Sequence, residues 1–171
     1  MGKRSNFDRE KRDFYPTPYE AIIPLLPHLM AGMTFIEPCA GDGRLIQHLE
    51  RNGLRCVYAC DIEPQAVGIE QKDVLFFEPE FPSADLIITN PPWEREPLHK
   101  MIQLFKRNRP TWLLFDADWM HTLQAFNCLK FCQKIVSVGR VSWAGNGVSG
   151  MDNCCWYYFI DEETKTEFFG R

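Results

Sequence analysis

Four consecutive residues, Asn90-Pro91-Pro92-Trp93, place a side-chain amide, two prolines and an indole directly after the apolar run Asp85-Leu86-Ile87-Ile88-Thr89. Adjacent prolines have no backbone N–H and a fixed φ, so the turn is expected to be stiff and extended. The Pro91 carbonyl and the Asn90 side-chain oxygen are then both available as acceptors. A conjugated amine has its lone pair delocalised into its ring. Two acceptors holding its hydrogens favour a pyramidal nitrogen, whose lone pair can attack an electrophilic methyl group. That is catalysis by positioning and by acceptors set where charge develops. Trp93 adds an aromatic face on which an extruded base can stack. The plainer alternative is a proline turn beside a core tryptophan.

A second constellation lies upstream. Gly41 and Gly43 follow the short apolar run Thr34-Phe35-Ile36-Glu37, and Asp61 ends the next such run, 20 residues beyond Gly41. Glycines in a first strand-to-helix turn let backbone approach a ligand, and an acid at the end of the second strand suits ribose hydroxyls. A dinucleotide would want a third glycine, but that slot holds Ile46. Glu37 and Asp42 also repel a pyrophosphate. Acidic groups suit a ligand carrying a sulfonium and an ammonium, so S-adenosylmethionine fits better than NAD.

The elements that must position these residues alternate. Tyr15-Pro16-Thr17-Pro18 is extended, because a residue before proline is pushed from helical geometry. Helices are expected over 18–30 (disturbed by Pro24 and Pro27), after Gly43 through Leu45, Ile46 and Leu49, and over 65–71, 97–107 and 118–131. Strands are expected at 34–37, 56–60, 74–77, 85–89, 112–115, 135–138 and 155–160. Such alternation predicts a parallel α/β sheet with ligands at the strands' carboxyl ends. The last two strands are joined by a loop bearing Gly145, Gly147 and Gly150, with no helix, and should pair antiparallel.

The chain has 171 residues, 45% of them hydrophobic, enough for one domain with a full core. A polar arm over 1–13 is expected to be mobile, leaving 14–171 as a single domain. No run is long and apolar enough for a membrane span or an export signal, so a cytoplasmic protein is expected. The seven cysteines are an odd count, and neither Cys56/Cys60 nor Cys128/Cys132 has a zinc-site spacing. Each pair is expected on one face of its element, buried and apolar in character. His28, His48 and His99 are scattered, and no metal is expected. The net charge of −4 is uneven: residues 1–13 and 94–110 sum to +5, leaving −9 elsewhere. Arg95, Lys100, Lys106, Arg107 and Arg109 could form a phosphate-contacting patch, or simply a solvated helix face. Asp116 and Asp118 follow a strand, as pocket residues or as a helix cap. Trp119 and His121 fit core or surface better than substrate contact. Trp143 and Asn146 sit where a loop could clamp a base.

Asn90-Pro91-Pro92-Trp93 resembles the catalytic motif of the class I amino-methyltransferases, the family that includes DNA adenine methyltransferases. Glu37-Pro38-Cys39-Ala40-Gly41-Asp42-Gly43 resembles its first cofactor motif. Asp61, with Ile62 beside it, stands where its ribose-binding acid belongs, and Asp73-Val74 resembles the pair that meets the cofactor's adenine. Phe14-Tyr15-Pro16-Thr17-Pro18 resembles the element that holds the methionine end. Gly139-Arg140-Val141, Gly150-Met151-Asp152-Asn153 and Trp156-Tyr157 resemble small phage and prophage enzymes, which would act in the host cytoplasm.

The resemblance is collinear over about residues 13 to 160. It implies a Rossmann-like, seven-stranded, mostly parallel sheet with one antiparallel strand. It further implies an S-adenosylmethionine site built from Tyr15, Thr17, Pro18, Glu37, Pro38, Ala40, Gly41, Gly43, Asp61, Ile62, Asp73, Val74 and Asn90. Methyl transfer to adenine's exocyclic amine in DNA would follow, with DNA met by 94–110 and the arm. Cytosine, guanine in RNA and a protein glutamine offer amines that suit the same turn, and a non-catalytic binding module is the reading from another class. The chain departs from the family in having no room for a separate target-recognition domain. Nothing in the sequence points to an oligomeric state.

Overall fold

The computed structural model describes residues 15–76, 81–143, 150 and 152–171. The arm over 1–13, Phe14, Phe77, Gly145, Asn146, Gly147 and Met151 lie outside them. Among the described residues, eight strands form one sheet: β1 (Thr34–Glu37), β2 (Arg55–Asp61), β3 (Glu70–Gln71), β4 (Leu86–Thr89), β5 (Thr111–Asp116), β6 (Cys132–Gly139), β7 (Cys154–Phe159) and β8 (Glu167–Phe169). Their order is β3-β2-β1-β4-β5-β7-β6-β8. Every pairing is parallel except those of β7, which runs antiparallel to both β5 and β6. This is the Rossmann-like α/β sheet expected.

Its strand count is eight rather than seven, and the third strand is displaced. Val74 to Phe76 form a turn, and the two-residue β3 stands before them. The added β8 pairs with β6 through a run too short to register as a strand in sequence.

The helices are α1 (Tyr19–Ile22), α2 (Arg44–Arg51), α3 (Arg95–Asn108) and α4 (Phe126–Leu129). Three expected helices are curtailed. The helix over 18–30 shrinks to α1 and a 3-10 turn at Leu26–His28, because Pro24 and Pro27 lack the N–H that would continue it. The stretch over 65–71 turns at Gly68, whose φ is +90°, instead of winding. Residues 118–131 break at Thr122, which is extended with ψ 147°, and form 3-10 turns at Ala117–His121 and Leu123–Ala125 before α4.

The sheet separates two apolar layers. On one side Ala21, Ile22, Leu45 and Leu49 cover Phe35, Trp112, Leu114 and Trp156. On the other, Leu98, Met101, Ile102 and Phe105 of α3 cover Ile36, Leu113, Phe115 and Tyr157. Period-2 alternation along β5 sorts its residues between the layers. Trp156 Nε1 donates to the Ala21 carbonyl at 2.7 Å, fastening the short α1, and the extended residues before it, to the sheet.

Cys56 and Cys60 do not share a face. The β1–β2 register slips between Phe35 and Ile36, whose partners are Cys56 and Tyr58. The bulge flips the alternation, so Cys56 packs toward the α2 layer and Cys60 into the α3 layer. Cys128 and Cys132 belong to α4 and β6 rather than to one helix, and both are buried. Among the described residues, no helix is long and apolar enough to cross a membrane.

The basic stretch 94–110 is partly internal. Lys106 is 4% exposed, bonded to Asp161 and seated 3.8 Å from the centre of the Phe131 ring. Arg109 donates to the carbonyls of Phe81, Pro82 and Ala84. Lys100 pairs with Glu96 at 2.8 Å, and Arg95 bonds Gln124. Two of the five cations therefore serve the fold, and Arg107 stands exposed. Lys106→Ala is expected to cost about 2 kcal/mol, through loss of its ring and carboxylate contacts. Arg107→Ala should change stability by less than about 0.5 kcal/mol. Urea unfolding midpoints of the two variants check the contrast.

Candidate active site

The order of the sheet reverses between β1 and β4: the chain leaves β1 toward β2 and leaves β4 toward β5 on the opposite side. Such a switch point opens a crevice at the strands' carboxyl ends. The turn after β1 forms one wall. Ala40 N donates to the Cys60 carbonyl at 3.0 Å, and Gly43 N to the Ala40 carbonyl at 2.7 Å. Gly41 has φ +52° and Gly43, the N-cap of α2, has φ +74°, conformations that a side chain would strain.

Asp61 ties this turn to the end of β2. Its Oδ2 accepts from Gly41 N at 2.8 Å and its Oδ1 from Glu63 N at 2.8 Å. The carboxylate is thereby oriented, and each oxygen keeps a further lone pair for a ligand hydroxyl. Asp73 Oδ1 accepts from Leu75 N at 2.9 Å, holding the next loop against the same crevice.

These walls enclose a cavity of about 660 Å³. Tyr15, Thr17, Glu37, Pro38, Ala40, Gly41, Asp61, Ile62, Asp73, Val74, Asn90 and Pro92 all line it. Four other residues read as site residues do not. Gly43 faces an adjoining hollow of about 360 Å³. Pro18 is buried as the N-cap of α1. Pro91 is buried and Trp93 half-buried, packed against both apolar layers.

Wall residues absent from the sequence reading include Lys72, Glu94, Pro97 and Met101. Pro97 and Met101 are four apart, the spacing that puts two side chains on one helix face. That signal became usable only once the start of α3 was placed beside the turn.

Charge in the wall is one-sided. Glu37, Asp42, Asp61, Glu63, Asp73 and Glu94 face Lys72 alone among the described lining residues. Glu37 is 1% exposed, and its Oε2 has no hydrogen-bond partner. Burial, reinforced by the nearby Asp61 and Asp42 carboxylates, pushes its carboxyl well above the ordinary carboxylate range. A wall of this kind suits a cationic ligand. Burial likewise raises the Cys39 thiol well above its usual value, so Cys39 stands in the wall as a neutral group.

Asn90 is held on both ends of its amide. Nδ2 donates to the Tyr15 carbonyl at 3.3 Å and to Thr17 Oγ1 at 3.3 Å. Oδ1 accepts from Trp93 Nε1 at 3.2 Å. The oxygen expected to face a target amine is thus already sharing one lone pair. The Trp93 ring meets Trp143 edge-on at 5.6 Å, and Trp143 meets Tyr15 at 6.3 Å.

Asp116 accepts from Asp118 N at 2.9 Å and caps the 3-10 turn, and neither acid lines the cavity. Trp119 is buried against Phe115 and Tyr157, and its indole donates to His99 Nε2 at 2.9 Å. His121 is exposed. Among the described residues, no group of three or more His, Cys, Asp or Glu side chains is arranged to hold a metal ion.

No protein-family model matches the sequence, and no curated sequence is similar to it. Solved structures do match. A protein of Listeria monocytogenes, described provisionally as a class I S-adenosylmethionine-dependent methyltransferase, superposes with a TM-score of 0.58 at 12% identity, over 88% of this chain and 62% of its own. A Pyrococcus horikoshii protein, described provisionally as an RNA methyltransferase, gives 0.58 at 14% identity, over 94% and 93% of the two chains. The M protein of the type I restriction enzyme EcoKI gives 0.56 at 12% identity, over 92% of this chain and 48% of its own. The fold is that of the class I methyltransferases. The chain spans about three fifths of the Listeria protein and about half of the EcoKI subunit.

Because the folded state raises the Glu37 carboxyl, the unfolded chain releases that proton first. Stability is therefore highest below the ordinary carboxylate range and falls as pH rises toward the raised value. Glu37→Gln removes this loss. The ligand-free variant is expected to melt above the parent protein, by a margin that widens with rising pH, as calorimetric scans at a series of pH values would record.

Proposed function

We propose that the chain is an S-adenosylmethionine-dependent methyltransferase acting on an amino nitrogen, with the exocyclic amine of adenine in DNA as its target. The observation that carries the reading is the unpartnered Glu37 oxygen in an acid-walled cavity at the switch point, with Asn90 in the same wall. Those residues fit a ligand with an ammonium and a sulfonium, and they oppose a phosphate. Bound there, S-adenosylmethionine supplies a methyl group made electrophilic by positive sulfur.

Tyr15, Thr17, Glu37, Pro38, Ala40 and Gly41 form the side that would hold the methionine end, with Pro18 and Gly43 shaping the segments behind it. Asp61 and Ile62 would hold the ribose, and Asp73 and Val74 the adenine. The acceptors at the turn act on the target. The Asn90 oxygen and the Pro91 carbonyl would accept hydrogen bonds from the amine's N–H groups and turn its lone pair toward the methyl carbon. With the donor bound, the nitrogen would gain the methyl carbon as the donor's carbon–sulfur bond broke, and the amine would lose one proton to water. Pro92 stiffens the turn, and Trp93 offers a face to the base.

DNA is favoured by the Asn90–Trp93 motif and by the EcoKI subunit's enzyme class, that of adenine-specific DNA methylation. Arg107 and the arm over 1–13 are the proposed phosphate contacts. The Pyrococcus structure, matched over nearly the whole of both chains, keeps an RNA amine as the second reading.

Tritiated methyl transfer to DNA, RNA and protein, with analysis of the labelled nucleoside, tests both. Label in 6-methyladenine of DNA is the expected result; label in RNA or protein moves the target, and none anywhere removes the activity. Asn90→Ala should lower the transfer rate by about a hundredfold or more, with calorimetric S-adenosylmethionine binding retained. A cellular effect that survives this substitution would mark a binding module. Arg107→Ala should weaken DNA binding at low salt and flatten its salt dependence by about one counterion.

A further inference from the structure

The acceptor role of Asn90 depends on which end of its amide faces the target. The two ends are nearly equal in size, and a half-turn would present donors instead of an acceptor. The neighbours of Asn90 remove that freedom. The Tyr15 carbonyl can only accept, and it takes one Nδ2 hydrogen at 3.3 Å. Thr17 Oγ1 takes the other at 3.3 Å, from a side chain that is 4% exposed. The Trp93 indole can only donate, and it gives its hydrogen to Oδ1 at 3.2 Å. In the flipped amide, Oδ1 would face the Tyr15 carbonyl and Nδ2 would face the indole N–H, two like-with-like contacts at once.

We propose that Thr17 and Trp93 are positioning residues for the Asn90 amide: the indole, with the Tyr15 carbonyl, locks it oxygen-first, and the Thr17 hydroxyl, which can bond either end, fixes where it sits, making the segment that lines the donor cavity part of the geometry of the transfer turn. This rests on the methyltransferase reading above. The indole uses one lone pair of Oδ1 and leaves the second for the target amine. Phenylalanine at position 93 could stack a base but has no hydrogen to give, so the lock depends on tryptophan. The edge contact with Trp143 at 5.6 Å holds the indole in place. Residues 73 and 75 positions apart in the chain are joined here through one side chain. Donor-side and target-side order are thus coupled.

The test uses the full chain with Thr17→Val, Thr17→Ser and Trp93→Phe. Steady-state methyl transfer, donor calorimetry and NMR of the Asn90 side-chain amide and the Trp93 indole N–H are measured together. Thr17→Val and Trp93→Phe are each expected to lower kcat about tenfold, a larger effect than on KM for the target or on donor affinity. Thr17→Ser should restore kcat, since it keeps the hydroxyl. The Trp93 indole hydrogen should exchange slowly in the parent protein and faster in Thr17→Val. Unchanged kcat in both Thr17→Val and Trp93→Phe would overturn the lock, as would an equal loss in Thr17→Ser. If the parent transfers no methyl to any amine, the methyltransferase reading fails by itself. The lock is then decided by NMR: rapid indole exchange, indifferent to Thr17→Val, rejects it, and slow exchange that quickens in Thr17→Val sustains it.

Discussion

β4 is buried along its whole length, from Leu86 to Thr89, and is bonded on one side to β1 and on the other to β5. A strand covered on both faces and paired on both edges can neither slide nor rotate without breaking two ladders and exposing its side chains. Asn90 is the first residue free of that constraint, and the prolines that follow keep the chain from folding back. The position of the turn is therefore inherited from the core. The cavity, the hydrogen bonds from the Asn90 amide to Tyr15 and Thr17 and the start of α3 are all arranged around a point that the central sheet holds still.

The electrostatics of the crevice work against the ligand-free fold. Glu37 is enclosed with one oxygen unpartnered, near Asp42 and Asp61, and a buried acid in such company stays protonated or is uncomfortable when charged. Structures concentrate strain of this sort where a ligand relieves it. Asp61 shows the opposite treatment: two backbone hydrogens aim its carboxylate before any ligand arrives. One acid is left with an oxygen unpartnered and the other is preset in direction, within a single wall. A fold shared at low sequence identity does not set the chemistry, which resides in these side chains.

The stretch 94–110 presents less positive charge to the surface than its composition suggests. Lys106 and Arg109 are spent internally, one on a ring and a carboxylate, the other on three carbonyls. Long cationic side chains often bury their stems in this way. A basic run on a helix thus states where charge lies along the chain and leaves open which way each head turns.

Local order was legible wherever the signal was local. Apolar runs bounded by turn residues located β1, β2, β4, β5, β6 and β7, and the long periodic run located α3 to within two residues at its start. The alternation of types was enough for a parallel sheet with its ligands at one edge, and the stiffness of Asn90-Pro91-Pro92 follows from proline chemistry alone. Helical spacing overstates the helices over 18–30, 65–71 and 118–131, where Pro24, Pro27, the left-handed Gly68 and the extended Thr122 interrupt the winding.

β8 and the face reversal at Cys56 depend on pairing partners elsewhere, and no local pattern encodes them. The same holds within the site. Residue types pointed to Glu37, Gly41, Asp61 and Asn90 in the cavity wall, and the family resemblance to Tyr15, Thr17, Pro38, Ala40, Ile62, Asp73 and Val74. Only the tertiary structure decided that Gly43, Pro18, Pro91 and Trp93 stand off that wall, that Glu37 is left with an unpartnered oxygen, and that Thr17 and Trp93 grip the Asn90 amide. Propensity and spacing act over a few residues, whereas burial and hydrogen-bond partners are set by segments that meet from opposite ends of the chain.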